Sequence, residues 1–435
     1  MPCTVYTVTC IIPYMASPFP KGKSKSKRSL QPQISEALLA RLWQERAARQ
    51  GSFKTSEGRH IQILYPGRRG SEAGPDFRDV LMHWDGLGLV RGDVELHLRQ
   101  GDWHSHGHGA DPRYNGVVLH GVLDGPGGQT RLQSGSEAPV VCLQSLLNAL
   151  PSSNLKTSRQ RPLLWSILET QGYPEPRNRS QAQKLLDRAG QARFLRKSNA
   201  FLVLMKEEEA QEVLYQGVME CLGYSENRDA FMELARLTPY RALKDVARKA
   251  ASGERLRLIE EALLKTAGFQ SDGAEVLVQS QRMHPSRWRL FRVRPSNHPR
   301  RRIAGAARLL DRFLDAGLLK GLTGTVQDGS FNRLEQDLTV SSPGHGPSLI
   351  GKGRAADIAV NAVLPFIHAW SLHSGNRPLA ALAHDLFRQG PRLQPNRLTR
   401  EMEVVLFPTE WLPLADSVPR QQGLIHFHHL AQGES

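Results

Sequence analysis

Cysteine is scarce in this 435-residue chain: Cys3, Cys10, Cys142 and Cys221 are far apart, with no CxxC pair. That excludes a disulfide framework and a thiolate zinc site, and it suits a reducing cytoplasm. Long apolar runs are missing as well. None approaches the roughly 20 residues that span a bilayer, so no membrane partner is expected. A secretory signal is excluded by order, because the mildly apolar residues 1–18 precede Lys21, Lys23, Lys25, Lys27 and Arg28 instead of following them. Residues 1–33 read as a disordered basic leader. No fixed-period repeat is present, which argues against a solenoid. Acids are absent from residues 282–302, which hold eight arginines.

What is present is a folded composition, 40% hydrophobic, carrying a net charge of +15. The leader and the arginine-rich segment 282–302 hold most of that excess. Localised positive charge points to a polyanionic partner, most often nucleic acid. Arg287, Trp288, Arg289, Arg292 and Arg294 interleave cations with an aromatic face, a combination that grips phosphates while stacking on bases. The plainer alternative is that Trp288 and Phe291 anchor a loop in the helical domain, with the arginines solvated or paired to its acids.

Periodicity divides the chain. A helical stripe spans 35–49, with Ser35 placed to cap it. Strand patterns follow at 61–65, 80–84, 89–98, 117–123 and 140–143, bounded by Gly, Pro and Asp-Gly turns. Residues 34–150 thus form an α/β unit. Residues 151–179, rich in Ser, Pro, Asn and Gln, read as a linker, and 180–435 as a mainly helical domain. Helices are expected at 181–207, 209–222, 228–237, 243–249, 254–267, 300–316, 355–372, 380–388 and 400–406.

Ligand-type residues gather between Gly74 and His120. Alternation in a strand puts Asp93, Glu95 and His97 on one face, roughly 7 Å apart at each step. If 80–84 and 89–98 pair through the turn at 85–88, Asp76 meets Glu95. Two converging carboxylates repel unless a cation lies between them, and hard oxygen ligands suit Mg²⁺ or Mn²⁺. A half-exposed strand that merely turns Asp, Glu and His outward is the bland alternative. The run His104-Ser105-His106-Gly107-His108 suggests zinc as the less favoured metal. With His108 and Gly109 where an HxHxDH pattern needs Asp and His, a metallo-β-lactamase-like site fits poorly. Asp102, Asp111 and His120 complete the possible lining, although His120, on an apolar strand, is more often a hydrogen-bonded core residue.

Pro75-Asp76 and Glu95-Leu96-His97 resemble the two halves of the PD-(D/E)XK nuclease motif, on a matching order of elements. The resemblance implies an α+β chain with an N-terminal restriction-endonuclease-like α/β domain, its central mixed sheet flanked by helices. Asp76 and Glu95 would bind metal with the Leu96 carbonyl, His97 would stand where the lysine belongs, and Glu36 or Glu45 would complete the site. Residues 35–430 also resemble an uncharacterised bacterial family, a domain of unknown function. The matching motifs are Gly74-Pro75-Asp76-Phe77, Gly92-Asp93-Val94-Glu95-Leu96-His97, Asp102-Trp103 with His106, His108, Asp111 and Tyr114, then Gly223-Tyr224, Arg294-Pro295 with Asn297 and Pro299, and Gly351-Lys352. That resemblance implies no activity. The expected function is metal-dependent phosphodiester hydrolysis of DNA or RNA. A catalytically inactive nucleic-acid-binding protein and a zinc hydrolase using the histidine loop are the alternatives.

Overall fold

The computed structural model describes every residue except 1–33, 50–51, 71–72, 149–162, 225, 252, 271–281, 291–292, 294, 345 and 434–435. The leader therefore lies outside the described residues, as do Arg292 and Arg294.

Helix α1 (Glu36–Arg46) starts where expected. The Ser35 hydroxyl accepts the Leu38 amide at 3.3 Å, and Leu39, Leu42 and Trp43 bury one face. Its apolar stripe covers a mixed sheet of β1 (Phe53–Lys54), β2 (His60–Tyr65), β3 (Arg68–Arg69), β4 (Phe77–Trp84), β5 (Gly88–Arg99), β6 (Val117–Asp124), β7 (Gln129–Arg131) and β8 (Glu137–Cys142). The order is β1-β2-β4-β5-β6-β8-β7, with β3 paired to β4. Strands β2, β4 and β5 form an antiparallel meander, whereas β5, β6 and β8 run parallel. Thr55 bridges Val141, so the two sides of the sheet meet and it is rolled. Alternation explains the layers. Val80, Met82, Val94 and Leu96 face α1, while Leu64, Tyr65 and Leu81 join a second core on the other side.

That second core takes in part of the segment expected as a linker. Helix α4 (Leu163–Thr170) forms within 151–179, and Trp165 is fully buried there, donating to the Leu406 carbonyl at 3.1 Å. The helix Val418–Ala431, unforeseen in the sequence, packs in the same core through Leu424 and Phe427. The expected helices all form, shifted by a few residues at their ends, beginning with α5 (Arg179–Leu204) and α6 (Ala210–Leu222). Leu318–Gln327 and Phe331–Leu338 are additional. The continuous run Lys352–His373 is, against expectation, long and apolar enough to cross a membrane, but 72% of its apolar window is buried inside the protein. That is how a core helix behaves.

The helix Val418–Ala431 also carries two buried histidines. Burial, aided by Arg196 and Arg193, holds His426 down to about 4, and burial, aided by His429, does the same for His428. Their unfolded values lie near 6.5, so the unfolded chain takes up protons first. Stability should therefore be full above about pH 6.5 and fall as pH drops toward 4, by up to ~3 kcal/mol per histidine. Urea titrations at pH 7, 5.5 and 4.5 should show this decline, and His426→Gln with His428→Gln should flatten it. An unchanged slope in the double variant would refute the assignment.

Candidate metal centre

The β4–β5 hairpin brings the two carboxylates together. Phe77 pairs with Val94, which sets Asp76 beside Glu95. The Asp76 amide donates to Glu95 Oε2 at 2.8 Å, and the Leu96 amide donates to Asp76 Oδ2 at 3.2 Å. Gly74 enters this turn at φ 134°, and a Cβ there would lie 3.0 Å from an Arg78 guanidinium nitrogen. Glycine is needed at that position. Burial, and then the Asp76 charge, push Glu95 up to about 9, and burial raises Asp76 as well. The charge of Glu36, at the start of α1, adds to both shifts. Glu45 instead pairs with Arg41 on an exposed face. Without a cation the acids oppose one another; with one, both can ionise.

The imidazoles converge on the same carboxylate. Parallel pairing of β5 with β6 sets His120 opposite Glu95. After α2 (Asp102–Ser105), Gly107 turns the chain at φ 74°, bringing His108 back over the sheet. Ligand nitrogens of His97, His106 and His108 all lie within 4.8 Å of one another. Glu95 Oε1 is 3.3 Å from His108 Nε2 and 3.7 Å from His97 Nε2. His97 is 1% exposed, yet its Nε2 has no hydrogen-bond partner among the described residues. Its other nitrogen, Nδ1, lies 2.9 Å from His120 Nε2, and His120 Nδ1 lies 2.8 Å from Thr130 Oγ1. With protons on both Nδ1 atoms, each ring donates outward along this chain and His97 Nε2 keeps a lone pair facing Glu95. That is the tautomer a metal ligand requires. Burial and the neighbouring imidazoles hold His97 at about 3, and burial followed by His108 holds His120 at about 4, so both rings are neutral. Tyr114 stacks on His108 at 4.0 Å between centroids, and buried Trp103 meets His97 edge-on. These walls fix the rings. An orphaned buried nitrogen, neutral imidazoles and a strained carboxylate fit a divalent transition ion.

A family model described as Protein of unknown function (DUF2851) matches residues 36–392. The chain belongs to the DUF2851 family. No curated protein and no solved structure matches it.

Not every expected site residue of this DUF2851 chain joins the centre. Asp93 Oδ1 instead accepts the amide of Asp79, which sits at φ 57° in an irregular stretch of β4 between Phe77 and Val80. Asp79 is itself held by Arg68 and Arg91. Asp102 accepts the Arg99 amide, Asp111 caps the short helix Pro112–Tyr114 while pairing with Arg113, and His104 remains exposed. The arginine stretch also needs correction. Trp288 is 4% exposed, packs on Phe231 and Phe269, and donates to the Ala267 carbonyl at 2.8 Å, so it offers no face to a base. Arg287 pairs with Glu233, and Arg289 with Glu226. Sequence reasoning missed Thr130. It sits on a three-residue strand, and only the folded pairing brings it to His120.

Proposed function

We propose that this protein is a metal-dependent phosphodiester hydrolase centred on Asp76, Glu95 and His97. The observation that carries the reading is the single Glu95 oxygen lying within 3.7 Å of both His97 and His108, beside a second, half-buried carboxylate. The order of elements supports a nuclease-like reading: a helix, a three-stranded antiparallel meander, a short helix and a parallel strand, with one acid just before the second meander strand and the other on the third. The net charge of +15 favours a polyanionic substrate such as DNA or RNA.

Glu95, His97, His106 and His108 would hold the ion. So nitrogen-rich a set suits Mn²⁺ or Zn²⁺ better than Mg²⁺. A bound ion would acidify a water and offset charge building on the phosphoryl oxygens. Asp76, anchored by the Leu96 amide through Oδ2, keeps Oδ1 for the proton of an attacking water. His120 and Thr130 position His97.

The three-imidazole cluster gives a second reading its footing, a zinc hydrolase acting on a small ester or amide. Purified protein should carry close to one Mn or Zn per chain and cleave bis(p-nitrophenyl) phosphate and single-stranded DNA. Cleavage of p-nitrophenyl acetate alone would favour the second reading. Salt-sensitive DNA binding without cleavage would favour a binding protein. His120→Ala should weaken metal affinity about 10–100-fold with the fold intact, and unchanged affinity would remove His120 from the centre.

A further inference from the structure

Three stretches far apart in the sequence meet within the helical region. The first is Gly223-Tyr224, just after α6. Tyr224 adopts φ 53°, a left-handed conformation uncommon outside glycine, and a Cβ on Gly223 would lie 2.3 Å from the Asn227 carbonyl. The turn is therefore built to hold this phenol in place. The second stretch supplies Asn297 and Arg302, and the third, opening the helix Lys352–Ile358, supplies Arg354.

Both guanidiniums address the one tyrosine. Arg354 Cζ lies 3.1 Å from the ring centroid and Arg302 Cζ lies 5.1 Å from it. Arg302 is 5% exposed and has only neutral acceptors: the Tyr224 hydroxyl at 2.7 Å, Asn297 Oδ1 at 2.7 Å and the Leu349 carbonyl at 2.8 Å. No carboxylate pairs with it among the described residues. Its charged neighbours Arg354 and Arg301 are alike in sign, and burial, the largest effect, together with them outweighs the favourable Tyr224 hydroxyl and lowers its pKa. Arg354 donates through Nη1 to the Cys221 carbonyl at 3.0 Å and approaches half-buried Asp357 at 3.5 Å through the same atom. The Nε atoms of both arginines are buried without a hydrogen-bond partner. Arg354 Nε, unpartnered among the described residues, belongs to the edge of the guanidinium that matches two oxygens of a phosphate. Tyr224, Asn297, Arg354 and Asp357 remain partly accessible, and Lys352 is exposed beside them. The cluster is open to solvent at its rim.

Two clustered guanidiniums facing one weakly placed acid leave a charge deficit, and a dianion fills it best. We infer that Arg302, Arg354 and Tyr224 form a second binding site, specific for a phosphate monoester. The site is separate from the metal centre and stands whether or not the hydrolase reading holds.

Titration calorimetry with inorganic phosphate, at constant ionic strength against chloride, tests the site. Wild-type protein should bind phosphate at millimolar concentration or tighter, at one equivalent. Arg354→Gln and Arg354→Lys should each weaken binding at least ~10-fold, the latter because an ammonium keeps the charge but loses the fork. Glu95→Gln should leave binding unchanged. Absence of binding to the wild type, or binding lost in Glu95→Gln but kept in Arg354→Gln, would overturn the site. Because Arg302→Gln risks misfolding, the two variants of partly accessible Arg354 are the decisive ones. A 5′-phosphorylated oligonucleotide that outcompetes its unphosphorylated twin for this site identifies the monoester as a nucleic-acid end, and equal competition identifies it as a free small molecule.

Discussion

Glu95→Gln should abolish metal-dependent hydrolysis while making the metal-free protein more stable. The activity loss is expected on the order of 10³-fold, about 4 kcal/mol of transition-state stabilisation, because a neutral amide cannot replace the anionic oxygen that, on the proposed reading, binds the ion alongside His97 and His108. The stability gain has the opposite origin. In the apo protein Glu95 is buried against Asp76 and Glu36, and its pKa stands at about 9. A carboxyl raised in the folded state costs stability as pH rises from about 4.5 toward 9, since the unfolded chain ionises first. Glutamine removes that cost and keeps an oxygen for the Asp76 amide. Thermal melts of EDTA-treated protein at pH 8 should rise by a few degrees, and added Mn²⁺ or Zn²⁺ should reverse the ranking. A destabilised apo variant that still cleaves substrate would show Glu95 to be a structural acid.

Glu401→Ala should be the most damaging single change away from the metal centre. Glu401 is 9% exposed and serves three partners: Oε2 accepts the buried Tyr65 hydroxyl at 2.8 Å, and Oε1 accepts Gln44 Nε2 at 2.7 Å and Arg397 Nε at 2.6 Å. Arg397 also donates to the Arg69 carbonyl at 2.7 Å. One carboxylate thus ties α1, β2 and β3 to the helix Arg397–Leu406. Alanine strands a buried hydroxyl and frees a guanidinium, a loss of about 3–5 kcal/mol. Glu401→Gln, which preserves the acceptor for Tyr65, should lose roughly half as much. Urea denaturation measures both, and a cost under about 1 kcal/mol for alanine would mean that apolar packing alone holds these layers together.

How far the sequence can be read depended on the range of the interactions. The strands around Val80, Glu95 and Leu119 were legible because alternation is local, and Ser35 because capping is. The meeting of Asp76 with Glu95 followed from one short hairpin. Asp93 is drawn from the centre because the irregular stretch of β4 between Phe77 and Val80 offers it the Asp79 amide, and no local pattern announces that. His120 was hard to weigh because a parallel pairing and a distant threonine determine its role. The helix Val418–Ala431 escaped notice since it buries residues all round and lacks a polar stripe. Trp288 between arginines looked like a stacking platform, and only its partners Phe231 and Phe269 reveal a core residue.

The bond between Tyr65 and Glu401 spans 336 residues. During synthesis at about 5–20 residues per second, β2 leaves the ribosome roughly 17–70 s before its partner exists. Throughout that interval the faces of Leu64, Tyr65 and Leu81 await a covering that α4 supplies early and the helix Val418–Ala431 only late. The nascent chain therefore carries a half-covered sheet for most of its time in translation, a period when a ribosome-associated chaperone would find its client.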